Sequence, residues 1–338
     1  MVGSVLYRSD PSEPGVHPFD ARYHLRQVAE LVGSVFADEL DASGRSMLDE
    51  MRVVGRLSPL IGSLLSMALF SDFVSGYVWV DDRRVVGNVT LQRTDVSGAR
   101  WRISNVAVAP EHRRKGVARE LMLATLGEIA ERGGKWAILQ VRRDNPGARL
   151  LYEHLGFADV CQDGVWRLSE APVIPAQRGS DGELRSLRPG SWRERLELAR
   201  AARTSLAQWA EPIDPGDFRV GLLGSFQESV SNLIGLTRTE RWGVSRNGRL
   251  VGSVEARSRG TPTHTLAFEV HPEERGRLEN ILVARGLQSL AEAPPLPIIA
   301  QHSADHAEAV AALEAVGFRT QRVLLTMRRQ VMPSDVEL

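Results

Sequence analysis

The residues of this chain best suited to chemistry lie between Ser104 and Ala118, Ser-Asn-Val-Ala-Val-Ala-Pro-Glu-His-Arg-Arg-Lys-Gly-Val-Ala. A β-branched strand there runs into a basic turn with a glycine, and an apolar-periodic helix opens directly after it. Arg113, Arg114 and Lys115 supply positive charge, and Gly116 lets the backbone curl without a Cβ. The first N–H groups of the helix, at Val117 and Ala118, have no helical carbonyl to bind and point into the turn. That combination cradles an anion, and a phosphate is the expected guest. The turn is not the longer nucleotide loop that ends in Gly-Lys-Ser/Thr.

The elements that must hold this turn follow from hydrophobic spacing and punctuation. The pattern predicts a helix over Val117–Arg132 with Val117, Leu121, Met122, Leu126, Ile129 and Ala130 on one stripe, stopped by Gly133-Gly134. A strand is expected over Trp136–Val141. Asn145-Pro146 then pairs an N-cap residue with a proline at the first helical position, opening a helix through Ala148, Leu151, Tyr152 and Leu155 that ends at Gly156-Phe157. Upstream, Phe19–Leu40 and Ser46–Leu57 read as amphipathic helices, Val74–Val80 and Val85–Leu91 as a hairpin turning at Asp81-Asp82, and Trp101–Val108 as the strand that feeds the turn. A closing strand is expected near Val165–Leu168. Trp79, Trp101 and Trp136 read as core residues on these strands, and His112 as a solvated turn residue.

Two stretches in this order, Arg113-x-x-Gly116-x-Ala118 and Asn145-Pro-Gly-Ala-Arg-Leu-Leu-Tyr152-Glu-His-Leu-Gly-Phe157, resemble the two hallmarks of the GNAT superfamily, the acyl-CoA-dependent N-acetyltransferases. The resemblance implies an α/β fold in which a mixed, mostly antiparallel twisted sheet is flanked by helices. It implies acetyl-CoA as co-substrate and no metal. The pyrophosphate would lie over the N–H groups of Arg114 to Ala118, and the pantetheine arm would pair along Val106, Ala107 and Val108, whose strand could also polarise the thioester carbonyl. Asn145 would contact the CoA arm, a role compatible with its plain reading as a helix cap. Tyr152 would be the general acid that protonates the leaving thiolate, since a phenol stays protonated at neutral pH. Some relatives carry a glutamate base on the preceding strand. Gln140 stands at that position here and cannot take a proton, so the general base is unassigned.

The second half repeats the first. Arg84-Val-Val-Gly87-Asn-Val is matched by Arg249-Leu-Val-Gly252-Ser-Val, and Val108-Ala-Pro110 by Val270-His-Pro272. Gln140, Asp144, Ala148, Glu153, Gly156 and Phe157 correspond without gaps to Gln301, Asp305, Ala309, Glu314, Gly317 and Phe318. The copies part where chemistry would sit, for Leu278 replaces Gly116, Glu279 adds an acid, His306 replaces Asn145 and Leu313 replaces Tyr152. These features predict two tandem GNAT-like domains. Residues 1–169 would form the acetyl-CoA-binding, catalytic one, 170–182 a linker rich in Pro, Gly, Ser and Ala, 183–330 a degenerate copy with a structural role, and 331–338 a tail.

Forty-two basic and 42 acidic residues cancel, so nothing in the overall charge draws the chain to nucleic acid or an anionic membrane. A single cysteine, Cys161, excludes intrachain disulfides and suits a reducing, cytoplasmic setting. The expected reaction is acetyl transfer to a primary amine on a small molecule or peptide, by a monomer with an internal pseudo-dimer or by a homodimer. Asp38, Glu39, Asp41, Asp49 and Glu50 would place acid near the acceptor groove or simply face solvent. The missing base leaves open a second reading, a non-catalytic acyl-CoA-binding or sensing module.

Overall fold

Alternating burial along short β-branched runs builds the first sheet. The computed structural model of the chain describes residues 13–37, 48–52, 75–169, 184–218, 237–259 and 263–337. The expected linker 170–182 lies outside these residues, and of the helix expected over Ser46–Leu57 only residues 48–52 are described, as helix. The chain divides into two compact units. The first is Met1–Gln140 with Leu150–Ala158 and Met327–Leu338, and the second is Val141–Arg149 with Asp159–Thr326.

In the first unit the strands run in the order β1 (Gly15–Pro18), β2 (Gly76–Asp81), β3 (Arg84–Arg93), β4 (Arg100–Val108), β5 (Trp136–Arg142) and β12 (Arg319–Gln330). The β2–β3 hairpin turns on Asp82 and Arg83, both with positive φ, which matches the twist of the strands. Only the β4–β5 pair among β1 to β5 is parallel. Helix α1 (Ala21–Val35) starts at Ala21 because the Asp20 carboxylate accepts the Arg22 N–H at 2.9 Å. It buries Leu25, Val28, Ala29 and Val32 against Val78, Val80, Val86 and Ala107. Helix α2 (Val117–Glu131) buries the expected stripe, with Leu121, Met122, Leu126 and Ile129 fully enclosed. It can approach β3 so closely only because Gly87 has no side chain, since a Cβ there would lie 2.8 Å from Val117 Cγ1 and 2.9 Å from Leu121 Cδ1. Trp101 is core, as its position in the strand predicts.

The second unit has the same plan. Its strands run β6 (Ala158–Leu168), β11 (Ile298–Ser303), β10 (His264–Val270), β9 (Arg249–Arg259), β8 (Thr237–Arg246) and β7 (Leu184–Ser186), again with one parallel pair, β10–β11. The β8–β9 hairpin also turns on two residues of positive φ, Asn247 and Gly248. Helix α3 (Pro146–His154) precedes β6, and α4 (Trp192–Ala202), α5 (Ser205–Ala210), α6 (Glu279–Leu290) and α7 (Ala307–Ala315) complete the helices. Gly252 repeats the part of Gly87, for a Cβ there would meet Leu278 Cδ1 at 2.9 Å.

The compact units do not follow chain order. Val165–Leu168, expected to close the first sheet, pairs with β11, Leu168 opposite Ile298 and Asp163 opposite Ser303. The cause is visible in the side chains, because Trp166 and Leu168 are buried in the second hydrophobic core. The chain's last residues serve the first unit. Val331 N–H reaches the Lys135 carbonyl at 3.0 Å, and the supposed tail forms a turn, Pro333–Glu337, held by buried Asp335, which pairs with Arg329 and accepts the Met332 N–H. The boundaries 1–169 and 183–330 are thus replaced by an interleaved division. Cys161 is buried, and no helix among the described residues is long and apolar enough to cross a membrane.

Candidate active site

The basic turn is built on two anchors. Ala109 donates its N–H to the Val86 carbonyl at 2.8 Å, and a turn over Pro110–His112 follows. His112 is not free in solvent as its sequence position suggests; its Nε2 meets Asp81 Oδ2 at 2.9 Å and ties the turn to the hairpin. From there Arg113 is extended, Arg114 has φ 61° and Gly116 has φ 87°, ψ −12°, as N-cap of α2. Two left-handed residues flanking Lys115 turn successive amides toward one side, the geometry of an anion nest. Gly116 has no side-chain cap bond, and the Val117 and Ala118 N–H groups belong to the unpaired first turn of α2. Arg114 and Lys115 are exposed above this nest. Arg113 is drawn elsewhere, for its Nε donates to the Val108 carbonyl at 3.1 Å, so it braces the end of β4.

Strand β4 is bent just before the turn. Ala107 lies opposite Asn88 and Ser104 opposite Thr90, so Asn105 and Val106 face a single partner residue. Asn105 takes a positive φ of 50° in this bulge. Buried Asn88 donates Nδ2 to the Asn105 carbonyl at 3.0 Å, and Asn105 Nδ2 reaches Thr90 Oγ1 at 3.2 Å. On its other side β4 pairs with β5 only as far as Ile103 opposite Leu139. Beyond Ile103, the stretch with Val106, Ala107 and Val108 makes no ladder with β5, leaving backbone groups for an extended ligand arm. The sequence reading missed Asn88, Thr90 and Asn105. The signal was present, since asparagine tolerates a left-handed backbone better than its β-branched neighbours.

Tyr152 lies on α3 in the same unit, only 5% exposed, with its ring edge-on to Phe157 at 6.0 Å. Burial pushes its phenol up to about 12. Gln140 is exposed on β5. Asn145 caps α3, its Oδ1 accepting the Ala148 N–H at 3.1 Å, and it falls in the Val141–Arg149 stretch grouped with the second unit.

The corresponding turn of the second unit is closed from within. Gly276 keeps the left-handed φ that Arg114 has, at 77°, but Leu278 has φ −105° where Gly116 has 87°. The Leu278 side chain is buried in the core. Glu279 folds its carboxylate back so that Oε1 accepts the Gly276 N–H at 3.0 Å and meets His306 Nε2 at 2.9 Å. The nest holds a carboxylate of its own chain. Strand β10 runs opposite β9 without a bulge.

Two halves, each a mixed sheet with a strand–turn–helix at its parallel pair, define a tandem acyltransferase fold. Residues 57–157 match the Acetyltransferase (GNAT) family. The chain is similar to N-alpha-acetyltransferase 30 of Schizosaccharomyces pombe, 32% identical over 83 residues, which is 24% of this chain and 55% of that protein. It is also similar to the [Ribosomal protein bS18]-alanine N-acetyltransferase of Escherichia coli K12, 42% identical over 53 residues, 16% of this chain and 36% of that one. The chain therefore spans about half or less of the curated relatives it matches. In fold it is similar to a tandem GNAT protein from the clavulanic acid biosynthesis pathway solved without AcCoA, with a TM-score of 0.53, 17% identity and coverage of 95% of this chain and 100% of that one. The chain belongs to the GNAT acetyltransferases, in their tandem form.

Proposed function

We propose that the first unit transfers the acetyl group of acetyl-CoA to a primary amine on a small molecule or peptide. The observation that carries this reading is the nest at Arg114–Ala118, open at the helix terminus and continuous with the unpaired edge of β4. Pyrophosphate oxygens fit the nest, where Arg114 and Lys115 add charge and the amides of Gly116, Val117 and Ala118 add direction. The pantetheine arm, which alternates amide groups along an extended chain, fits the free edge at Val106–Val108. An N–H of that edge would polarise the thioester carbonyl.

The neutral amine attacks the thioester carbon, a C–N bond forms, and the C–S bond breaks as the tetrahedral intermediate collapses. The leaving sulfur takes a proton and the nitrogen loses one, giving amide and free CoA. Tyr152 suits the sulfur end of this exchange. With its phenol near 12, full transfer to a thiolate of ordinary basicity near 8.5 is uphill by about 5 kcal/mol. Its contribution is thus a hydrogen bond that stabilises the thiolate, with the proton arriving as CoA leaves. With Gln140 in place of a carboxylate, the amine proton goes to water. Buried Cys161 supports a cytoplasmic setting.

A panel of small amines and short peptides assayed for CoA release, alongside calorimetry with acetyl-CoA, tests the reading. Release with an acceptor and one acetyl-CoA bound per chain is expected. Gln140 favours the second reading, a sensing module, and tight binding without release on any acceptor would establish that reading instead.

A further inference from the structure

The second unit contains a cavity of about 590 Å³ that has nothing to do with its blocked nest. It opens where β10 and β11 part, for their pairing stops at Leu266 opposite Ala300. Glu269 stands beyond that point and lines the cavity. The equivalent position on β4 is the buried methyl of Ala107, so the second copy has put a carboxyl group where the first has none.

Among the described residues Glu269 has no hydrogen bond and no ion pair. Enclosure by protein pushes its carboxyl up to about 7, with Asp163 reinforcing the shift and Arg203 and Arg275 opposing it. A desolvated carboxyl without a partner is unfavourable in a folded chain, and such groups gather where a ligand completes them. The rest of the wall says which charge is wanted. Five carboxylates, Asp163, Glu211, Asp214, Asp217 and Glu269, face three guanidiniums. Two of these guanidiniums are engaged, Arg203 with Asp163 at 3.9 Å and Arg275 Nη2 with the Ala202 carbonyl at 2.8 Å. The histidines add no positive charge at neutral pH. His302, stacked on Phe268 at 4.5 Å, is pushed down to about 3 by burial, and His306, which joins it at 2.8 Å and links it to Glu279, is lowered by burial as well.

We propose that this cavity is a binding site for a small organic cation, a primary or secondary ammonium, with Glu269 as its counter-ion. The site lies wholly in the second unit and is independent of acetyl transfer by the first. Its volume admits a drug-sized ligand. A cation at Glu269 favours the ionised carboxylate, so binding releases a proton and strengthens with pH. Across pH 6 to 8 the other groups facing Glu269 hold their charge state: Arg203 and Arg275 stay positive and His302 neutral, while Asp163, raised by burial but opposed by Arg203, belongs to the carboxylate range. The ionised share of Glu269 rises about tenfold over that interval.

The experiment is calorimetry on the full chain with n-butylamine and 1,4-diaminobutane, and with n-butanol as the uncharged isostere. Either amine should bind, about tenfold more tightly at pH 8 than at pH 6, with proton release seen as a dependence of heat on buffer. Glu269→Gln should lose at least tenfold in affinity together with the pH dependence, while Gly116→Glu should leave amine binding intact. If Glu269→Gln fails to fold, loss of affinity in Asp163→Asn and the proton release of the wild type carry the test. Failure of both amines to bind, equal binding of butanol, or unchanged affinity in a folded Glu269→Gln chain would overturn the proposal.

Discussion

The turns after β4 and β10 start from the same backbone and end in opposite electrostatic states. Both leave their strand through a proline-led turn, both contain a left-handed residue two positions before the helix cap, and both set the next helix against a glycine on the neighbouring strand. They differ at the cap. Gly116 keeps the second left-handed position and leaves the amides open, whereas Leu278 surrenders it and Glu279 occupies the amides with its own oxygen. A helix terminus attracts negative charge, and a carboxylate one residue into the helix satisfies that demand. An anion site can therefore be lost without losing its scaffold, by supplying the anion from within.

The most severe way to break the comparison is to separate the copies. A chain ending at Ser169 lacks Met327–Leu338, which belong to the first unit, so it should yield no folded protein by circular dichroism or gel filtration. A folded, acetyl-CoA-binding 1–169 fragment would show that the interleaving is dispensable. Next in size, Tyr152→Phe should lower kcat roughly a hundredfold with little change in acetyl-CoA affinity, while Leu313, its counterpart, should tolerate Met without kinetic effect. Steady-state kinetics with the active amine decides, and full kcat in Tyr152→Phe would remove the phenol from the mechanism.

Gly87→Ala and Gly252→Ala sharpen the shared part of the design. Each new Cβ would press on the following helix, at 2.8 Å from Val117 and 2.9 Å from Leu278, so each should destabilise by about 1–3 kcal/mol in denaturant titrations. Equal stability to wild type would mean the helices can shift outward freely. Gly116→Glu imitates the second nest in the first. Acetyl-CoA affinity should fall at least tenfold, about 1.4 kcal/mol, and native mass spectrometry should count one acetyl-CoA on the wild type and none on the variant. Two equivalents on the wild type would show that Glu279 does not close its turn.

The smallest effect concerns pH. The Glu269 carboxyl has its folded value raised to about 7 from an ordinary 4.5, so the folded state holds the proton longer than the unfolded chain. Its contribution to stability is fully present below about 4.5 and is lost as pH rises through about 7. Thermal unfolding of Glu269→Gln should thus gain on wild type between pH 5 and pH 8. A constant difference between the two across that range would remove Glu269 as the titrating group.

Much of this was legible in the sequence because punctuation residues act locally. Asn145-Pro146 and Gly133-Gly134 set the ends of α3 and α2 close to where the spacing predicts them, and the basic turn announced its own chemistry. What was not legible depends on partners far along the chain. The alternation of β6 says that one face is buried but not in which core, and Trp166 chose the second. Arg113 reads as a phosphate ligand until the Val108 carbonyl is seen to take it. Glu269 sits at an alternating position where a solvent-facing acid is expected, and it gains its meaning only because β10 and β11 separate beside it.

The interleaved strands also order events on the ribosome. At about 5–20 residues per second, translating from residue 169 to residue 327 takes roughly ten to thirty seconds. During that interval the first unit has every strand but its last, and the edge of β5 that β12 will cover stands open. The second unit ends at Thr326 and is complete before that last strand emerges. Synthesis therefore finishes the later half of this protein first, and a stop codon a dozen residues early would injure the half that was made at the beginning.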